Sequence, residues 1–261
     1  MNDTALPVPA PAGELGSSVT YLPVDGPWSP ACYRGLLTGL LARGYRPGTV
    51  RAFEASEAAP WHAALYHDVE VDLQSSIASA RIEWEVGVSA TYYICNTSPF
   101  FVGHEQTIPN VVQELIGLGH DVGVHLELPE IPADHDEVVE RVDVIAATLG
   151  CNTSMFSVHS PRRHAIALLA ALPRVGPMYR RVMDGRSVFL SDSACRWNYG
   201  VPLTDGRLSS GRPLQLLTHP FWWDGRSDIA GKTAEALSRG IAAARLNEFL
   251  PRFFSTAPAA G

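Results

Sequence analysis

A chain of 261 residues is long enough for one large domain or two small ones, with a full hydrophobic core. Its composition, 46% hydrophobic and 18% charged, is that of an ordinary globular protein. The net charge of -7 argues against nucleic acid or an anionic membrane surface as the main partner, and no apolar run approaches the roughly 18 residues of a bilayer span.

Residues 1–18, rich in Pro, Ala and Gly, are expected to form a flexible arm ahead of a single domain over 19–261. The N-terminus lacks the basic region and apolar stretch of a secretory signal, so a cytoplasmic location is expected. Cys32, Cys95, Cys151 and Cys195 are scattered without C-x-x-C spacing and are expected as reduced thiols.

Ser29-Pro30 gives an N-cap and a first-turn proline for a helix over 31–43, closed by Gly44. A strand over 63–67 precedes a helix of about 15 residues that starts near Asp72, presents Leu73, Ile77 and Trp84 on one face and stops at Gly87. A strand over 88–95 follows, then a loop over 98–107 and a short helix opened by Pro109 and closed by Gly119. A strand over 121–126 leads to a helix over 136–149, with Val138, Val142, Ile145 and Leu149 at helical spacing. Beyond it the pattern predicts a strand over 155–159, a helix over 163–172, strands over 187–192 and 214–219, and a C-terminal helix over 230–250. Alternating strands and helices predict a parallel sheet with helices outside, as a barrel or an open sheet. In both, chemistry gathers at the carboxyl ends of the strands.

Several of these strands end in ionisable residues. The run Ala64-Leu65-Tyr66 closes in His67-Asp68-Val69-Glu70, and the i, i+2 spacing of Asp68 and Glu70 places both carboxylates on one side of the strand. Such a pair suits a divalent metal or acid/base work, although an isolated Asp there would more often cap a helix. Asp72 fits the cap better. His120 and His125 bracket the strand over 121–126 at odd spacing and so point to opposite faces. His125, with Glu127 on its side, is the functional candidate, and His120 is expected to be a capping or surface residue. His159 and His219 end further strands, followed by Ser160-Pro161 and Pro220. Neutral imidazole is both the commonest metal ligand and the side chain suited to proton transfer near neutral pH. Asp192 could orient a histidine or form an Asx turn. Trp197, Tyr199, Trp222 and Trp223 follow the strand ends, where aromatic faces would stack on a sugar or nucleoside ring unless buried in the core. No G-x-S-x-G elbow, phosphate loop or dinucleotide glycine pattern is present.

Five motifs in order, Tyr66-His67-Asp68-Val69-Glu70, Gly119-His120-Asp121-Val122-Gly123-Val124-His125, His159-Ser160-Pro161, Ser191-Asp192-Ser193 and Leu217-Thr218-His219-Pro220, resemble the polysaccharide deacetylase-like superfamily, carbohydrate esterase family 4. The nearest pattern is the divergent branch whose first motif reads His-Asp-Val-Asp. The resemblance spans about residues 63–223 and implies a distorted (β/α) barrel with mostly parallel strands. It also implies a metal-dependent hydrolase that removes acetyl groups from N-acetylated sugars, with a divalent ion, usually zinc, held by one Asp and two His. By position Asp68 would be the metal Asp, His125 the first metal His and His219 the general acid.

Three positions depart from the family: His67 stands where it keeps its catalytic aspartate, Pro129 where it keeps the second metal His, and His159 where it keeps an Arg. The expected assignment makes His159 the third ligand and Glu70, or His67, the base, with Glu127 or Glu70 as the rival third ligand. Zinc is the expected ion, with nickel or cobalt as alternatives. The expected substrate is a small N-acetylated amino sugar or a nucleoside- or antibiotic-type intermediate. Hydrolysis of a cyclic amide on the same scaffold and a non-catalytic binding barrel are the other readings.

Overall fold

The computed structural model describes residues 28–101, 107–127, 135–151, 155–159, 166, 169–172, 174, 176–197, 199–226 and 228–238. The expected arm, half of the expected helix over 163–172 and the second half of the expected C-terminal helix lie outside these residues.

Helix α1 (Pro30–Ala42) begins as its sequence dictates, with the Ser29 side chain accepting the Cys32 N–H and Pro30 in the first turn. Strand β1 (Arg46–Gly48), helix α2 (Val50–Ala55) and strand β2 (His62–Val69) follow. Helix α3 (Leu73–Val86) is capped by Asp72, which accepts the Ser75 N–H, and ends at Gly87 with φ 76°. Then come β3 (Thr91–Ile94), α4 (Ile108–Gly117), β4 (Asp121–Leu126), α5 (His135–Leu149), β5 (Phe156–Val158), α6 (Gly176–Met183), β6 (Val188–Ser191), β7 (Leu214–Thr218) and α7 (Ile229–Ser238).

The strands form one sheet in the order β5-β4-β3-β2-β7-β6, with β1 paired to the first half of β2, and every pairing is parallel. Among the described residues no pairing joins β5 to β6. The architecture is therefore a distorted (β/α) barrel, open at that seam and surrounded by helices.

Strand alternation divides the interior in two. Ala63, Leu65 and Val69 of β2 join the main core, which includes Leu36, Leu37 and Leu40 of α1 and Ile77 and Ala80 of α3. Ala64 and Tyr66 join a smaller cluster with Tyr93, Met155 and Met178 on the concave side. At Gly123 on that side the Tyr93 ring lies so close that an added Cβ would meet Tyr93 Cδ1 at 2.5 Å and the Met155 carbonyl oxygen at 2.9 Å. Gly123→Ala is expected to destabilise by about 1–3 kcal/mol, the usual cost of overpacking, read as a lower urea midpoint at unchanged slope.

Two expectations are corrected. Trp84 is 62% exposed, because the buried stripe of α3 runs through Leu73, Ser76, Ile77, Ala80 and Glu83 instead. His120 is buried rather than superficial: its Nδ1 accepts the Ala90 N–H at 3.1 Å and its Nε2 lies 3.1 Å from the Ala80 carbonyl oxygen.

Candidate metal and acid–base site

Glu70 follows the carboxyl end of β2, His125 lies in the last turn of the pleat of β4, and His159 follows β5 directly. Adjacent parallel strands place these ends together. One ligand atom from each residue lies within 4.8 Å of the other two. Glu70 Oε1 is the hub, 2.6 Å from His125 Nε2 and 2.5 Å from His159 Nδ1.

Behind His125 stands a second carboxylate. His125 Nδ1 is 2.6 Å from Ser157 Oγ, which donates to Asp68 Oδ1 at 2.7 Å, and the Nδ1 to Oδ1 distance is 3.2 Å. The register explains this trio, since His125 is paired with Ser157 across β4 and β5 and both project to the concave side with Asp68. An imidazole tied to a carboxylate through one nitrogen presents its other nitrogen in a fixed direction. Here that nitrogen faces Glu70.

The electrostatics follow the geometry. Burial alone would depress the His125 imidazole, but the Asp68 and Glu70 carboxylates outweigh it and hold it well above the usual histidine range. Burial likewise opposes ionisation of Glu70, yet hydrogen bonds from His125 and His159 hold its carboxyl well below the usual range. Asp68 is also held below its ordinary value, with His125 overcoming the effect of burial.

A second pair faces this cluster from β7. His219 Nδ1 is 2.6 Å from Asp192 Oδ1. Asp192, fully buried just beyond β6, also accepts the His219 backbone N–H at 3.1 Å and Trp223 Nε1–H at 2.8 Å. Burial would lower the His219 pKa, but Asp192 outweighs it, and the imidazole is raised to about 9 with smaller contributions from Glu70 and Asp68. His219 is thus a cation at neutral pH and within electrostatic reach of both carboxylates.

The structure brings Asp68, Glu70, His125, His159, Asp192 and His219 to this end of the sheet and leaves His67 out. His67 is one residue from Asp68 and so points the other way, into the helix-facing core, where it is fully buried. Its Nε2 is 2.7 Å from Glu83 Oε1 and its Nδ1 is 2.7 Å from Thr218 Oγ1. Glu127 is exposed and lies outside the three-residue cluster.

Trp223 is buried and packs with Trp28, Trp197 and Tyr33 at ring separations of 5.0, 6.2 and 5.1 Å. Trp222 is partly buried, 6.4 Å from the His219 ring. Trp222 thus lies beside the His219 ring, while Trp223 is hydrogen-bonded to Asp192. A cleft of about 420 Å³ lined by Asn96, Thr97, His125 and Glu127, among others, opens beside His125. Sequence reasoning missed Ser157 and Glu83. Serine in a short strand carries no signal of its own, and Glu83, in Arg81-Ile82-Glu83-Trp84-Glu85, has the look of a solvated helix face.

The strand ends of this parallel (β/α) barrel thus gather a carboxylate shared by two imidazoles, which could hold a metal ion, and a separate carboxylate–imidazole pair. No family model matches the chain, and no curated protein does. Among solved structures it is similar to a peptidoglycan deacetylase of Bdellovibrio bacteriovorus, with 15% identity over 70% of this chain and 51% of that one and a TM-score of 0.38. This chain therefore spans about half the length of that relative. It is also similar to the catalytic domain of a peptidoglycan N-acetylglucosamine deacetylase from Eubacterium rectale, with 12% identity, 68% and 82% coverage and a TM-score of 0.32. A peptidoglycan deacetylase of Bacillus subtilis matches with 10% identity, 74% and 96% coverage and a TM-score of 0.26. No helix among the described residues is long and apolar enough to cross a membrane.

Proposed function

We propose that the chain is a metal-dependent amide hydrolase that removes the acetyl group from a small N-acetylated amino sugar or sugar-containing intermediate. The observation that carries this reading is the convergence of Glu70 Oε1, His125 Nε2 and His159 Nδ1 opposite the Asp192–His219 pair. One carboxylate and two imidazoles suit zinc, with nickel and cobalt as alternatives. The donor atoms already face one another, and His125 carries the outer carboxylate support usual for a metal-bound histidine. Glu70, His125 and His159 would hold the ion. Bound there, it would lower the pKa of a water and polarise the amide carbonyl.

The remaining steps belong to the chain. Glu70 is committed to two imidazoles and Asp192 to His219. Among the described residues Asp68 Oδ1 is engaged by Ser157 and His125 and Oδ2 is not, so we assign Oδ1 to orient His125 and Oδ2 to receive the water proton. His219, protonated through its contact with Asp192, donates to the departing nitrogen. Trp222 borders the space next to His219 where the sugar would lie.

Metal content of the purified protein, together with acetate release from a panel of N-acetyl sugars, tests the reading. One divalent ion per chain and turnover of a panel member are expected. An ion-free, inactive protein would favour a binding barrel. Asp68→Asn separates the two carboxylates of β2: the variant is expected to retain an ion, with affinity lowered by no more than about 10–100-fold, while kcat falls by about 100-fold or more. Complete loss of the ion would instead make Asp68 a ligand.

A further inference from the structure

Glu83 of α3 lies on the helix-facing side of the sheet, across β2 from the proposed metal ligands, and its side chain has no solvent exposure. Its Oε1 accepts from the Tyr33 hydroxyl and is 2.7 Å from His67 Nε2; its Oε2 accepts from the Tyr92 hydroxyl at 2.7 Å, with His120 Nδ1 at 3.4 Å. Four side chains from α1, β2, β3 and the turn before β4 thus converge on one carboxylate. A buried charge is a poor means of holding a fold together, because desolvation offsets much of what its partners return and well-packed apolar groups do as well. Such a group is more informative about what it fixes in place.

Two routes lead outward from Glu83, and both end at His219. Along the first, His67 Nδ1 is 2.7 Å from Thr218 Oγ1, and Thr218 is the residue before His219. The pairing of β2 with β7 sets His67 directly opposite Thr218. Along the second, the Tyr33 ring packs at 5.1 Å on Trp223, whose Nε1–H donates to Asp192 Oδ2, the carboxylate that holds His219 Nδ1.

We propose that Glu83 is a positioning residue that, through His67–Thr218 and Tyr33–Trp223–Asp192, fixes the orientation of the His219 imidazole. For catalysis the inference rests on the hydrolase reading above; for geometry it stands alone. His67 then has a definite task. It carries the constraint from Glu83 on α3 across β2 to the Thr218 side chain of β7.

Glu83→Gln preserves shape and removes the charge. The test follows the His219 Nδ1 proton by NMR, assigned through its loss in His219→Gln, alongside kcat, KM and metal content. In Glu83→Gln that proton signal is expected to shift or broaden through exchange, and kcat to fall by about 10-fold or more, the scale of an outer-shell loss, with KM and metal content unchanged. Thr218→Val, which severs only the first route, should reproduce part of both effects and decides the matter if Glu83→Gln does not fold. A lowered Tm with the wild-type proton signal and wild-type kcat would overturn the proposal and leave Glu83 a purely structural residue. Should the wild-type protein hydrolyse nothing, the hydrolase reading fails, while the NMR result still decides whether Glu83 positions His219.

Discussion

Glu70→Gln is expected to abolish stoichiometric binding of a divalent ion and, with it, amide hydrolysis. Glu70 Oε1 is in contact with both imidazoles, so an amide at this position removes the anionic ligand and the group that aligns the other two. The loss in metal affinity should exceed the roughly 10–100-fold that removal of an outer-shell partner costs, as measured by calorimetric titration with zinc, nickel and cobalt. The same titrations in the wild-type protein should show affinity rising with pH. In the ion-free chain Asp68 and Glu70 hold the His125 imidazole protonated to a higher pH than usual, and that proton must leave before the nitrogen can ligate. Competition is therefore strongest in acid and fades as pH climbs through the raised pKa. Wild-type affinity in the Gln variant would remove Glu70 from the ligand set.

His219→Ala is expected to lower kcat on an N-acetyl sugar by about 10²–10⁴-fold, the usual range for loss of a general acid. An activated acetyl ester, whose leaving group needs no proton, should suffer much less. The pH profile supplies a second signature. With its pKa raised to about 9, His219 keeps its proton through neutrality, so amide hydrolysis should hold up below about pH 9 and decline above it. Asp192→Asn removes the largest favourable influence and leaves burial, which pushes the imidazole down, opposed only by the smaller effects of Glu70 and Asp68. The alkaline limb should then move to lower pH. Stability follows the same sign: the Asp192–His219 pair contributes fully below the unfolded histidine pKa and its contribution is lost as pH rises through about 9. An amide profile unmoved by Asp192→Asn would separate His219 from the acid role.

Much of the sheet was legible in the sequence because its strands are apolar runs with clear stops. β2, β4 and β7 and the helices capped by Ser29 and Asp72 fall where alternation and capping place them. β1 was missed because Arg46-Pro47-Gly48 contains the two residues least suited to a strand, and it is tolerated as a three-residue partner along the first half of β2. Helix α2 is six residues long, too short to show a period. At the site, the sequence gathered the ionisable residues at strand ends but could not say which oxygen meets which nitrogen. Asp68 and Glu70 share a side of β2, yet Glu70, beyond the last paired residue, reaches both His125 Nε2 and His159 Nδ1, while Asp68, within the strand, meets Ser157. That difference depends on where β2 stops pairing, and local pattern does not encode it.

The division of β2 into two faces has a consequence for how the chain finds its fold. His67 on one face and Asp68 on the other each meet partners of the right kind, Glu83 and Thr218 outside, Ser157 and His125 within. If β2 joined the sheet one residue out of step, every side chain would change faces. Asp68 would be pushed among the leucines beneath α1, and His67 into the concave side. A carboxylate stranded in hydrocarbon costs several kcal/mol even after relaxation, comparable to the whole stability of many domains. The side chains proposed to do chemistry therefore also proofread the assembly of the strand that carries them: a chain that folds with β2 misplaced is too unstable to persist.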